Sequence, residues 1–210
     1  MFGRLVAAMG LVAGVAAAGA CHAADLTVLV RDKAGRPVRD AVILIDVPGA
    51  AAPRPQGGYS VVQQNMKFAP FVLIAPVGAE VSFPNRDTVR HHVYSFSPTK
   101  PFELKLYGSE QAARTVKFDK AGVVALGCNI HDSMVAFIRV VGTPFAAKTE
   151  AAGQARLTGM NAGAANLKIW HPYLKAPGNE IVRSVALGPN AASLTVDVDM
   201  RAAPDRSGAY

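Results

Sequence analysis

Cysteine is almost missing from this chain, with Cys21 and Cys128 the two among 210 residues. Cys21 lies at the end of an apolar leader, so Cys128 is expected to be the one thiol of the working protein. A single cysteine makes no internal disulfide, and an exposed thiol in an oxidising compartment is a liability. Histidine is scarce too: beyond His22 the chain offers His91, His92, His131 and His171. So few imidazoles argue against a multi-metal catalytic centre. Met66, Met160 and Met200 are scattered and form no methionine-rich tract. Basic residues outnumber acidic ones by 22 to 15, a formal net charge of +7, yet nowhere do they run together with aromatics. That pattern argues against nucleic acid and favours steering of an acidic partner. Helical periodicity is nearly absent.

The only long apolar run is at the start. Arg4 precedes Leu5 to Ala20, then Cys21-His22-Ala23 offers small residues for cleavage and charge returns at Asp25. This pattern predicts a removed export signal over residues 1–23, a periplasmic location, and no membrane span once the signal is gone. Cys21 raises lipoprotein anchoring as a minor alternative, although Ala18-Gly19-Ala20-Cys21 lacks the leucine that opens a lipobox.

What fills the rest is alternation. Leu26 to Val30 and Val42 to Ile45 read as strands around an Asp32-Lys33-Ala34-Gly35-Arg36-Pro37 turn, and Pro48 to Gly58 reads as a linker. Strand-like runs resume at Tyr59 to Val62, Phe71 to Ile74, Ala79 to Phe83, Val93 to Phe96, Phe102 to Leu106, Thr115 to Phe118, Val123 to Leu126 and Met134 to Val141. Short strands punctuated by Gly, Pro, Asn and Asp predict an all-β sandwich. Met134, Ala136, Ile138 and Val140 are expected to alternate inward on the last of these.

Between the last two runs stands Cys128-Asn129-Ile130-His131-Asp132-Ser133-Met134, a Cys-x2-His-x2-Met spacing. With a histidine from the His91-His92 pair, it supplies a thiolate, two imidazoles and a thioether. Two histidines and a cysteine in a plane with a weak axial methionine are the donors of a blue-copper site, suited to both Cu(I) and Cu(II). Neighbours in an extended segment point to opposite faces, so one of His91 and His92 at most is expected to reach such a site.

Phe83 to Val93, with Asn85 six residues before His91, resembles the first ligand segment of plastocyanin-like cupredoxins. Gly122 to Ile138 resembles their closing ligand loop, and the two-residue gap between His131 and Met134 matches the short loop of the amicyanins. The resemblance covers about 59–141. It implies a Greek-key cupredoxin sandwich with one type 1 copper held by His91, Cys128, His131 and Met134. His131 is then expected nearest the surface, as the electron exit, with Met134 capping the loop and contributing little to the core. Three positions depart from the pattern. His92 and Asn129 stand where the family places Asn and Ser or Thr, and Ile130 stands where it places proline.

The flanks resemble a carboxypeptidase-regulatory-like (transthyretin-like) sandwich. Asp25 to Val47 has the form strand, Asp-x-x-Gly-x-Pro-Val turn, strand, and 143–200 continues with further strands around Leu167 to Pro172. The expected organisation is a signal (1–23), an opening hairpin and linker (24–58), a cupredoxin domain (59–142), the remainder of the flanking β-domain (143–200) and a disordered tail (201–210). Whether the two flanks form one domain or separate extensions is open at this level. Trp170 is expected in a core, and His171 at a sheet edge without a metal role. Together these features suggest a one-electron carrier, not an enzyme. Its implied partners are acidic redox proteins, a cytochrome or a quinoprotein dehydrogenase, since similar proteins carry a methylamine-utilisation label. Copper delivery or storage, and a non-redox interaction module with a vestigial site, are the alternatives.

Overall fold

A computed structural model describes residues 23–204. The expected signal apart from Ala23, with Cys21 and the lipoprotein alternative it raised, and most of the expected tail lie outside the described residues. Within them the protein is all-β, and no helix is long and apolar enough to cross a membrane.

Two strands open the described residues, β1 (Ala23–Asp32) and β2 (Val42–Asp46). Their partners lie about a hundred residues or more downstream, in β13 (Phe145–Lys148), β14 (Gln154–Asn161), β15 (Gly163–Trp170) and β17 (Ala192–Val198), with β16 (Glu180–Leu187) added beyond β15. One sheet runs β14-β1-β17 and the other β13-β2-β15-β16. Strand β1 buries every second residue, Ala24, Leu26, Val28 and Val30, against Ile43, Ile45, Leu167 and Ile169 of the facing sheet. The segments before and after the middle of the chain therefore share both sheets and one core.

The middle supplies ten more strands. These are β3 (Tyr59–Ser60), β4 (Val62–Gln64), β5 (Lys67–Ala69), β6 (Val72–Pro76), β7 (Ala79–Phe83), β8 (His91–Ser95), β9 (Phe102–Tyr107), β10 (Arg114–Phe118), β11 (Gly122–Gly127) and β12 (Val135–Val141). A five-stranded sheet, β6-β12-β11-β8-β9, faces a three-stranded one, β10-β7-β3. Between them lies a second core of Val81, Phe83, Val93, Phe118, Leu126, Ala136 and Ile138. The β4–β5 hairpin had no strong strand signature in the sequence.

The two cores meet along a third apolar cluster. Strand β2 is buried on both faces, with Ile43 and Ile45 in the outer core and Val42 and Leu44 in the seam. This explains its unbroken apolar run, since a strand covered on both sides has no polar face. Strand β12 behaves likewise, sending Ala136 and Ile138 inward and Phe137 and Val141 into the seam. Phe137 meets Phe71 edge-on at 5.5 Å and Trp170 at 5.9 Å, while Phe71 stacks on Tyr173 at 6.1 Å. Arg139 spans the same seam, ion-paired to Glu180 with its guanidinium 5.8 Å from the Trp170 ring.

His171, just past β15, is buried, and its Nδ1 accepts the Tyr173 amide at 3.1 Å. Burial pushes it down to about 4, with Asp40 and a hydrogen bond to the Arg39 backbone opposing part of that drop. The folded state thus holds the ring neutral where the unfolded chain, titrating near 6.5, begins to protonate. Its contribution is complete above about pH 6.5 and declines as the pH falls toward 4. Across that window the loss from this group is expected to reach about 3 kcal/mol. Denaturation midpoints at pH 7 and 4.5 check this, because the drop should be much smaller in His171→Asn.

Candidate metal centre

The site lies at one end of the middle sandwich, where β8 begins and the β11–β12 connection turns. Gly127 ends β11 opposite Tyr94 of β8, whose ring lies over it. A Cβ at Gly127 would stand 2.7 Å from that ring, so a larger residue there would have to push the ring aside. Cys128 follows at once and is buried. The chain then closes a tight turn, with the Met134 amide donating to the His131 carbonyl at 2.9 Å, and enters β12.

This arrangement brings three of the sequence candidates together. Donor atoms of His91, Cys128 and His131 all lie within 4.8 Å of one another. The His91 and His131 rings are 5.1 Å apart, nearly edge-on. His91 and Cys128 are buried and His131 is partly exposed. The Nδ1 atoms of His91, His92 and His131 are all buried without a hydrogen-bond partner, and of the three rings those of His91 and His131 stand beside Cys128. Unpaired buried nitrogens are costly unless something else satisfies them, and two of them beside a thiol fit a thiophilic metal ion.

Met134 differs from the sequence expectation. It does not merely cap a surface loop but is fully buried in the same core cluster as Cys128, Leu126 and Ala136. The alternation of β12 extends back through it, so its side chain continues the inward-facing row.

The adjacent histidines separate. A bulge between His91 and Val93 shifts the register, so that His91 opposes Tyr107 and Val93 opposes Leu104. Both rings are buried, but on different neighbours. His92 Nε2 lies 2.8 Å from Glu103 Oε1, and its ring packs against Tyr94 at 5.6 Å. It is not among the grouped donors.

Sequence reasoning missed Asp87. Its carboxylate lies 2.7 Å from His91 Nε2 and accepts the amides of Asn65 and Met66. Burial tends to raise the Asp87 carboxyl, but those amides and the imidazole outweigh it and hold it below the usual carboxylate range. The available signal was an acid four residues before the candidate ligand, in a loop where no periodicity marks a partner. Asn85 anchors the same loop, its Nδ2 donating to the carbonyls of Val89 (2.9 Å) and Tyr107 (3.0 Å). The buried Tyr107 hydroxyl donates to the Phe83 carbonyl at 2.5 Å, and burial pushes the phenol up to about 12.

No family description matches the chain, and no curated protein matches it. Similar solved structures include a purple cupredoxin from Nitrosopumilus maritimus, 21% identical, covering 40% of this chain and 99% of that one with a TM-score of 0.35. A reduced mutant of amicyanin is 23% identical over 47% of this chain and 98% of its own, with a TM-score of 0.38. An oxidised amicyanin mutant is 22% identical over 49% and 99%, with a TM-score of 0.37.

Proposed function

We propose that the protein is a periplasmic carrier of single electrons, with one type 1 copper held by His91, Cys128, His131 and Met134. The observation that carries this is the meeting of one buried thiol with two imidazoles whose buried Nδ1 atoms have no other partner. Copper bound there would supply a one-electron couple between Cu(II) and Cu(I). The protein's own residues hold the donors and keep water out. Cys128 and His91 are fixed by the sheet from behind, and Met134 is packed among core side chains. His131, the partly exposed member, is where a docked partner comes nearest to the donors. The net charge of +7, or +6 once Arg4 leaves with the signal, suits an acidic redox protein of the cytochrome or quinoprotein dehydrogenase class. An optical and EPR titration tests the reading: Cu(II) should saturate at one equivalent with an intense visible thiolate band.

Met134→Gln separates this reading from copper delivery. A thioether favours Cu(I), so a harder amide oxygen should lower the potential by at least about 60 mV, a tenfold change in relative affinity. Because Met134 is fully buried, the fold is not indifferent to the change. An imperfectly paired amide there should cost about 1–3 kcal/mol of stability. Voltammetry showing no shift removes Met134 from the ligand set. Loss of Cu(I) on dialysis at normal Cu(II) occupancy points to a delivery protein instead.

A further inference from the structure

The Asp87 carboxylate is gripped from two sides. Oδ1 accepts the Asn65 amide at 2.6 Å, and Oδ2 accepts the Met66 amide at 3.0 Å while lying 2.7 Å from His91 Nε2. Both amides belong to the turn of the β4–β5 hairpin, whose central residues sit at φ 56° and 53°. A two-residue hairpin of this kind needs both centres left-handed. Asn tolerates that conformation, but a residue like Met adopts it rarely, because its Cβ crowds the following carbonyl. The carboxylate across the turn takes both of its amides and so favours this conformation. Asp87 is itself fixed, its amide donating to Asn85 Oδ1 at 2.9 Å.

An ionised carboxylate only accepts, so the His91 nitrogen facing it must carry the proton. That leaves Nδ1 with the lone pair, and Nδ1 is the buried atom without a partner. We infer that Asp87, clamped by the Asn65–Met66 turn, is a positioning residue that sets the ring orientation and tautomer of His91. It presents Nδ1 to the metal and strengthens the imidazole as a donor, as carboxylates behind ligating histidines do. This rests on the reading of His91 as a metal donor and adds the group that prepares it. The turn, far from the ligand loop in sequence, thereby becomes part of the centre.

Two measurements test it. Nitrogen-15 NMR of the metal-free protein should show His91 protonated at Nε2, and Asp87→Ala should lose that bias. A wild-type ring protonated at Nδ1 overturns the inference whatever copper does. In the copper-loaded protein, Asp87→Asn keeps the size and removes the charge. Cu(II) affinity should fall by about 10–100-fold, and each tenfold loss relative to Cu(I) raises the potential by about 59 mV. Glu103→Gln is the control, removing a carboxylate from the other histidine pair, 2.8 Å from His92 Nε2. It should leave the potential near wild type. An unshifted Asp87→Asn, or an equal shift in Glu103→Gln, sinks the idea, since the effect would then be absent or merely one of net charge. If wild type binds no copper through its thiolate, the proposed function fails while the NMR result still decides whether Asp87 sets the His91 tautomer.

Discussion

Cu(II) added to the Cys128→Ser protein is expected to give no intense visible band. The band arises from charge transfer out of a thiolate, and a serine hydroxyl offers no high-lying filled sulfur orbital to supply it. Cys128 is the free cysteine among the described residues, and it sits beside His91 and His131, so no neighbouring thiol can stand in for it. Serine is close to isosteric, but Cys128 is buried in an apolar cluster. Its hydroxyl should therefore cost about 1–3 kcal/mol if left unpaired. Circular dichroism should show the same strands and a lower melting temperature. A Ser variant that still turns blue would place the sulfur donor elsewhere.

His91→Ala is expected to weaken Cu(II) binding by at least about a hundredfold, beyond the range seen when only a supporting group is lost. His92→Ala should cost tenfold or less. Each deletion removes a buried ring, so each should also lower stability by roughly 2–4 kcal/mol from the cavity left behind. Stability therefore does not distinguish them, and affinity does. The difference follows from geometry. The bulge turns His92 toward Glu103 and Tyr94, whereas His91 shares its space with Cys128 and His131. Competition against a chelator of known strength measures both. Equal losses would mean a shared site, and the reverse order would transfer the ligand to His92.

How much of this was readable beforehand depended on the range of the interaction. The strands of the middle sandwich showed as alternation because one face of each is buried, and Met134 to Val140 kept that phase through the ligand loop. Cys128, His131 and Met134 were legible because one turn carries all three. The Asp87–His91 contact was not, since nothing in a loop sequence says which way a carboxylate turns. Nor was the Asn65–Met66 turn, which lacks the glycine that marks most such hairpins. The seam was hidden for a different reason. Trp170 read as an ordinary core residue and Phe137 fell opposite the inward row of Met134, Ala136, Ile138 and Val140, and periodicity does not name what covers a face.

The pairing of β1 with both β14 and β17 also orders events in time. Strands 59–141 find most of their partners within a few dozen residues, so their loops close at modest entropic cost. The β14-β1-β17 sheet is not complete until residues near 198 have emerged, because β17 supplies one flank of β1. A chain delivered from its amino end therefore carries β1 and β2 as unpartnered apolar strands for most of its synthesis. Such strands are templates for association with other chains. A completed inner sandwich shortens that wait in space if not in time. It brings the residues at 45 and 143 together, as Thr143 Oγ1 hydrogen-bonded to the Ile45 carbonyl at 2.6 Å records, and so guides the late strands to the early ones.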